Sequence, residues 1–107
     1  MSTLKSYDLF GFPEACLESV RETVESALGV VFELRDSSYV GVYFRCETVV
    51  GDELILQKNQ DDSSDDWAED AFRQFPTLLY TVVSNQPDVI RNAVGAIGGQ
   101  LLRRQLL

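Results

Sequence analysis

The hydrophobic pattern of this chain changes its period at Gly29, and the change sets the fold class. From Pro13 to Leu28 the apolar residues recur at steps of three and four, which predicts an amphipathic helix that begins at Pro13 and ends at Gly29. From Val30 the period is two, in three runs, VVFELR, YVGVYFRCET and ELILQK, separated by turn-forming residues. This alternation predicts three antiparallel strands. A helix followed by paired strands places the chain in the α+β class.

Two later segments complete the predicted fold. TLLYTVV, residues 77–83, is apolar on both faces and rich in β-forming residues, as is typical of an interior strand. Residues 85–88 form a helix-start signal, and apolar residues follow at helical spacing as far as Leu102, although Gly98 predicts a kink or an early end. We therefore expect a four-stranded, mainly antiparallel sheet with an N-terminal and a C-terminal helix packed on it, in the order α-β-β-β-(α)-β-α.

Length and composition predict one domain, residues 1–107. A hydrophobic content of 45% with 24% charged residues is the balance of a chain that folds by itself. No apolar run approaches the ~20 residues that a membrane helix needs. The segment MSTLKSYDLF also lacks the basic and then apolar order of a secretory signal. The expected location is cytoplasmic, with no membrane partner.

The residue types present argue against catalysis. The chain has no histidine, so it lacks the commonest general base and the commonest transition-metal ligand. Cys16 and Cys46 fall on predicted apolar faces, where we expect both thiols to be buried, reduced and slow to react. The sequence contains no G-x-S-x-G, P-loop or G-x-G-x-x-G pattern. It predicts a protein that is not an enzyme and that needs no cofactor or metal.

The charge of the chain selects its class of partner. With 17 acids against 9 bases the formal net charge is −8, which repels phosphate backbones and attracts cationic partners. We therefore expect no direct binding to nucleic acid.

Much of this charge is concentrated in NQDDSSDDWAED, residues 59–70, which we call the acidic segment; it has six acids and no base. A polar, self-repelling start predicts exposure, after which Ser63 or Ser64 can cap a short helix that turns Trp67, Ala71 and Phe72 inward. One interpretation is a charged connection that Trp67 and Phe75 hold down. The other is a surface for a basic partner, which explains a density of charge that a connection does not require. The candidate partner-binding residues are Asp61, Asp62, Asp65, Asp66, Glu69 and Asp70, followed by Tyr39 and Tyr43 on the wetter face of the second strand.

A calcium site in the same segment is an alternative. Oxygen-bearing side chains stand at alternate positions, and Asp70 occupies the twelfth place of the pattern. The sixth place holds Ser64 where the turn needs glycine, and the twelfth lacks the bidentate glutamate. A calcium-stabilised module therefore ranks below a plain solvated loop. The pattern's first four alternate positions are Asn59, Asp61, Ser63 and Asp65.

Three motifs in order carry a family resemblance: GVYFR (41–45), ELILQKN (53–59) and FPTLLY (75–80). Together with the acidic segment they resemble small immunity proteins of bacterial toxin systems, including contact-dependent growth inhibition, over most of the chain. The resemblance implies a cytoplasmic inhibitor that binds one cognate toxin domain, commonly a nuclease, and blocks its active site or substrate path. The alternatives are a small ligand-binding or enzymatic α+β domain, and the calcium-stabilised module.

Overall fold

The computed structural model describes residues 6–37, 41–48, 51–60, 67–84 and 86–106. Within them the chain is α+β, with two helices and a six-stranded sheet. The strands and helices, in chain order, are β1 (Ser6–Phe12), α1 (Leu17–Leu28), β2 (Glu33–Ser37), β3 (Gly41–Glu47), β4 (Glu53–Lys58), β5 (Thr77–Ser84), α2 (Pro87–Ala96) and β6 (Gln100–Leu106).

The sheet has the order β2-β3-β4-β5-β1-β6, and every neighbouring pair is antiparallel. The three-stranded meander is confirmed as β2, β3 and β4, and residues 77–83 do lie in an interior strand, β5. The prediction of four strands in the order α-β-β-β-(α)-β-α is wrong, because a strand at each end of the described chain joins the sheet. β1 inserts between β5 and β6.

β1 was not predicted from hydrophobic alternation, because both of its faces are covered and its sequence does not alternate. Leu9 and Phe10 point to opposite faces of the sheet, yet each is only 1% exposed. A strand that is buried on both sides has no period-two pattern in its sequence.

The helical spacing predicted as far as Leu102 does not continue into β6, and the predicted early end near Gly98 is the one that the structure shows. The helix ends at Ala96, since Gly98 takes a φ of +94° and a Cβ at Gly99 would collide with Val94. The strand that follows is tied to β1 by the Arg104 guanidinium, which makes two hydrogen bonds of 2.9 and 3.0 Å to the buried Asp8 carboxylate. Such bidentate pairs are the strong members of their class.

The two helices begin and end by different local rules. α1 ends as predicted at Gly29, whose φ of +67° suits a left-handed cap. Its start is displaced from Pro13 to Leu17, because the Glu14 carboxylate accepts the Cys16 N–H (2.9 Å) and keeps the chain extended there. α2 begins at Pro87, within the predicted start signal.

Both helices pack on one face of the sheet and form the main core there. Phe44 and Cys46 of β3 point into this core, as their alternation predicts, whereas Val42 at the end of the same strand is 50% exposed. The other core members are Phe10, Phe12, Leu17, Val20, Val24, Phe32, Leu54, Leu56, Leu79, Ile90 and Val94.

The opposite face of the sheet, which we call the open face, carries a smaller apolar cluster. Leu9 and Leu78 point to this side and are 1% and 0% exposed. Phe75 packs over Gly11, where an added Cβ would lie 2.5 Å from the Phe75 ring. The chain between β4 and β5 therefore folds back across the end of the open face near β1 and β6.

Candidate functional site

The structure describes three of the predicted partner-binding residues: Glu69, Asp70 and Tyr43. Glu69 and Asp70 lie in the connection between β4 and β5, and Tyr43 lies in β3. The remaining candidates, Asp61, Asp62, Asp65, Asp66 and Tyr39, fall outside the described residues, as do Ser63 and Ser64.

The residues that flank positions 61–66 are paired with each other. Gln60 and Trp67 form an isolated antiparallel bridge, and the Ala68 N–H donates to the Asn59 carbonyl at 2.7 Å. The described residues on either side of positions 61–66 thus lie side by side at the end of β4.

Asn59 organises the connection that follows. Its side chain is buried, with 1% exposure. The Asn59 Nδ2 donates to the carbonyls of Glu69 (3.3 Å), Phe72 (2.9 Å) and Phe75 (3.0 Å), and Oδ1 accepts the Glu69 N–H at 2.8 Å. Its backbone N–H donates to the Pro76 carbonyl at 2.9 Å. One side chain therefore replaces the hydrogen bonds that a helix or strand would supply to these backbone groups.

This role bears on the calcium alternative, which placed Asn59 at the first ligand position. The Asn59 oxygen is already a hydrogen-bond acceptor for Glu69 in a buried setting. Among the described residues, no three His, Cys, Asp or Glu side chains cluster as metal ligands.

Glu69 is turned toward the sheet and is only partly accessible. Its carboxylate pairs with Arg103 of β6 at 2.6 Å, and the Glu69 side chain is 16% exposed. The Glu69 carboxylate also hydrogen-bonds the Tyr80 hydroxyl of β5. The pKa of Tyr80 is raised above its usual range, mainly by burial and then by the Glu69 charge and this hydrogen bond. Glu69 thus connects the segment to two strands of the open face.

Asp70 points away from the sheet. Its side chain is 72% exposed, and it accepts a 2.7 Å hydrogen bond from Arg73 Nε. The Arg73 guanidinium also lies over the half-buried Trp67 ring, 5.3 Å from its centroid. The short helix predicted here is a single 3₁₀ turn, Asp70–Phe72. Ala71 was expected to face inward but is exposed. The reason is that the Asn59 side chain binds carbonyls that a regular helix would use for its own hydrogen bonds.

Tyr43 lies on the open face, where Glu69 also contacts the sheet. It is paired with Gln57 of β4, which is paired in turn with Leu78 of β5 beneath the connection. Of the predicted residues that the structure describes, Tyr43 and Glu69 thus lie at the open face, with β4 between β3 and the strand β5 that Glu69 contacts. The sequence could not show this, because the position of Glu69 depends on its contact with Arg103 of the unpredicted strand β6.

Two residues of this face were not singled out from the sequence. Tyr80 sits in a run that is apolar on both sides, and Arg103 lies just beyond Leu102, where the predicted helical spacing ends. Both line a groove of about 260 Å³ on the open face, together with Tyr7 and Gln105. This groove is where the alternative of small-ligand binding would apply.

The two cysteines have different environments. Cys46 is buried as predicted, and burial raises the pKa of its thiol to about 11. The expectation of a buried Cys16 is wrong: it is exposed, because α1 begins one residue later and leaves Cys16 at the cap.

Comparison with protein-family models gives no match, and comparison with curated protein sequences gives no significant relative. No helix in the described part of the chain is both long and apolar enough to cross a membrane.

Proposed function

We propose that this protein is an immunity-type inhibitor that binds a basic toxin domain, a nuclease, through the acidic segment and the adjoining open face. The observation that carries the proposal is the fixed base of the acidic segment. The residues on either side of positions 61–66 are paired in the Gln60–Trp67 bridge, and Asn59 is hydrogen-bonded to Glu69. Flanking residues that are already ordered lose less conformational freedom on binding than free ones do.

The distribution of charge supports the same proposal. Many of the described acids have an arginine partner: Arg21 of α1 pairs with Glu18 and Glu25, and Arg45 pairs with Glu53. Glu69 and Asp70 of the acidic segment also have one each, in Arg103 and Arg73. The sequence has no basic residue between Lys58 and Arg73. Together, the four aspartates at positions 61, 62, 65 and 66 carry a charge equal to half of the net charge of −8.

A nuclease is the class of toxin that suits such a surface. A protein that grips nucleic acid presents Lys and Arg side chains to phosphates. Carboxylates of the acidic segment can stand where phosphates would lie, and the net charge of −8 attracts a basic domain over a long range. The inhibitor then blocks the substrate path of the toxin and does no chemistry of its own.

Capture of the partner tests the proposal. The tagged protein is used as bait in an extract of its source cell, and captured proteins are identified by mass spectrometry. We expect a basic domain with nuclease activity, which the purified protein inhibits at an equimolar ratio. Capture of only acidic or neutral proteins, or a captured nuclease whose activity is unchanged, would contradict the proposal.

A charge-matched pair of variants then locates the surface. The first variant replaces Asp61, Asp62, Asp65 and Asp66 by asparagine. The control removes four exposed charges elsewhere, so both variants have the same net charge. We expect the first to bind the captured nuclease more weakly than the control. Equal binding by the two variants would place the surface outside the acidic segment. The control substitutions are Glu18→Gln, Glu22→Gln, Asp36→Asn and Asp88→Asn, whose side chains are exposed and lie away from the open face.

A further inference from the structure

The free edge of β2 is the second surface that the structure leaves uncovered. β2 pairs only with β3 in the described part of the chain, so its other edge presents unpaired backbone groups. Leu34 of β2 is 61% exposed and Val42 of β3 is 50% exposed. Leu34 lies opposite Phe44, and Val42 is two residues before Phe44 in the same strand. The Leu34 and Val42 side chains are therefore on the helix-bearing face, in a part that the helices do not cover.

The charges of β2 are arranged symmetrically about Leu34. Glu33 precedes it and Arg35 follows it, and their side chains are exposed by 69% and 46%. If two copies of β2 pair antiparallel with Leu34 opposite Leu34, Glu33 of each copy faces Arg35 of the other. Opposite charges directly across an antiparallel pair are stabilising, and like charges are destabilising.

The neighbouring registers do not have this property. A pairing centred on Glu33 places glutamate opposite glutamate, and a pairing centred on Arg35 places arginine opposite arginine. The other edge strand, β6, carries Arg103 and Arg104 and no acid, so its self-pairing gains no opposite-charge contact in any register. Charge complementarity therefore selects one edge of the sheet and one register.

We propose that the protein forms a two-fold symmetric dimer by antiparallel pairing of β2 with β2 of a second copy, centred on Leu34. The two sheets then become continuous, and Leu34 and Val42 of both copies form one apolar strip on the helix-bearing face. An interface that uses the same residues of both copies closes on itself and does not propagate. The β2 edge lies at the opposite end of the sheet from β6 and Glu69, although Arg35 is paired with Tyr43 of the proposed toxin surface. The dimer is therefore tested in the absence of toxin, and its proposal does not rest on toxin binding.

Sedimentation of the whole protein over about 5 to 500 µM tests the dimer, since a short-strand interface is small and its affinity is expected to be modest. We expect the mass to rise from 12.0 kDa toward twice that value. Glu33→Arg and Arg35→Glu should each weaken the association by about tenfold, because each creates two like-charge pairs. Glu22→Arg and Arg91→Glu, which reverse exposed charges on the helices, are the matched controls and should leave it unchanged.

Mixing the two single variants gives the sharpest result. A Glu33→Arg copy and an Arg35→Glu copy have fully complementary β2 edges, so an equimolar mixture should form heterodimers although each variant alone does not. The double variant Glu33→Arg/Arg35→Glu should regain the homodimer. A parent that stays monomeric, single variants that dimerise as the parent does, or a mixture that stays monomeric would each overturn the proposal. Melting curves verify folding, which an exposed ion pair affects little.

Discussion

Asn59 and Glu69 are hydrogen-bonded to each other in both directions across ten residues of chain. The Glu69 N–H donates to Asn59 Oδ1 at 2.8 Å, and Asn59 Nδ2 donates to the Glu69 carbonyl at 3.3 Å. The same amide group reaches the carbonyls of Phe72 and Phe75. One buried polar side chain, at the first position of the acidic segment, therefore anchors the described residues that follow it.

Asn59→Ala should lower the free energy of unfolding by about 2–4 kcal/mol, because it leaves several buried backbone groups without partners. Asn59→Asp should also destabilise, since it keeps the acceptor but turns a carboxylate toward three carbonyls. Urea unfolding measures both, and Gln60→Ala, at an exposed neighbour, is the control, with a change within about 0.5 kcal/mol. A parent-like midpoint for Asn59→Ala would show that the connection does not depend on this side chain.

The contact between Phe75 and Gly11 gives a second prediction. A Cβ at position 11 would lie 2.5 Å from the Phe75 ring and 2.9 Å from Leu102, so Gly11→Ala should displace the connection and lower stability by about 1–3 kcal/mol. Gly95→Ala is the matched control: nothing lies within 4 Å of a Cβ there, and it should stabilise α2 by about 0.5–1 kcal/mol. Thermal unfolding of both variants gives the comparison, and equal effects of the two substitutions would contradict it.

Local patterns predicted those parts of the fold in which one face is buried and the other is wet. α1, the β2–β4 meander and the start of α2 are of this kind, since period and caps depend on nearby residues. β5 is apolar on both faces, and its unbroken run of β-forming residues predicted it. β1 and β6 could not be predicted in this way. β1 is buried on both faces but has Asp8 and Gly11 within its run, and β6 is fixed by a contact between Arg104 and Asp8, ninety-six residues apart.

The candidate site was predicted as a set of residue types and not as a surface. Composition located the acidic segment, but the role of Asn59 depends on the carbonyls that the fold places around it. Likewise Glu69 resembles the other acids in the sequence, whereas in the structure Arg103 and Tyr80 hold it against the sheet. Only the assembled sheet separates the exposed Asp70 from the tethered Glu69.

The thiols should react at very different rates. Cys16 is exposed, whereas Cys46 is buried and its pKa is raised to about 11, so at neutral pH one thiol per chain should be labelled rapidly. Cys16→Ser should abolish the rapid phase, and Cys46→Ser should leave it unchanged. Rapid labelling of two thiols in the native parent would contradict the burial of Cys46.

Stability should fall in alkali through Tyr80. Burial and the Glu69 charge raise the pKa of Tyr80 above its ordinary 10.0, so the folded state keeps a proton that the unfolded state loses. The contribution of this proton to the free energy of unfolding is fully present below about pH 10. It is lost as pH rises from there toward the pKa of Tyr80 in the folded state, at up to about 1.4 kcal/mol per pH unit. Urea unfolding of parent and Tyr80→Phe at about pH 8 and pH 11 should show a smaller alkaline loss for the variant. Parallel losses would show that Tyr80 titrates normally.

The acidic segment and Tyr43 should affect toxin binding through different rate constants. Replacing Asp61, Asp62, Asp65 and Asp66 by asparagine removes long-range attraction, so the association rate with the captured nuclease should fall by about tenfold or more at low salt and change little at high salt. Tyr43→Ala removes an aromatic contact without changing charge, so it should mainly raise the dissociation rate, at either salt concentration. Surface plasmon resonance over a salt series separates the two effects. If the fourfold variant keeps the association rate and the salt dependence of the parent, the acidic segment is a solvated connection and binding must be carried by another surface.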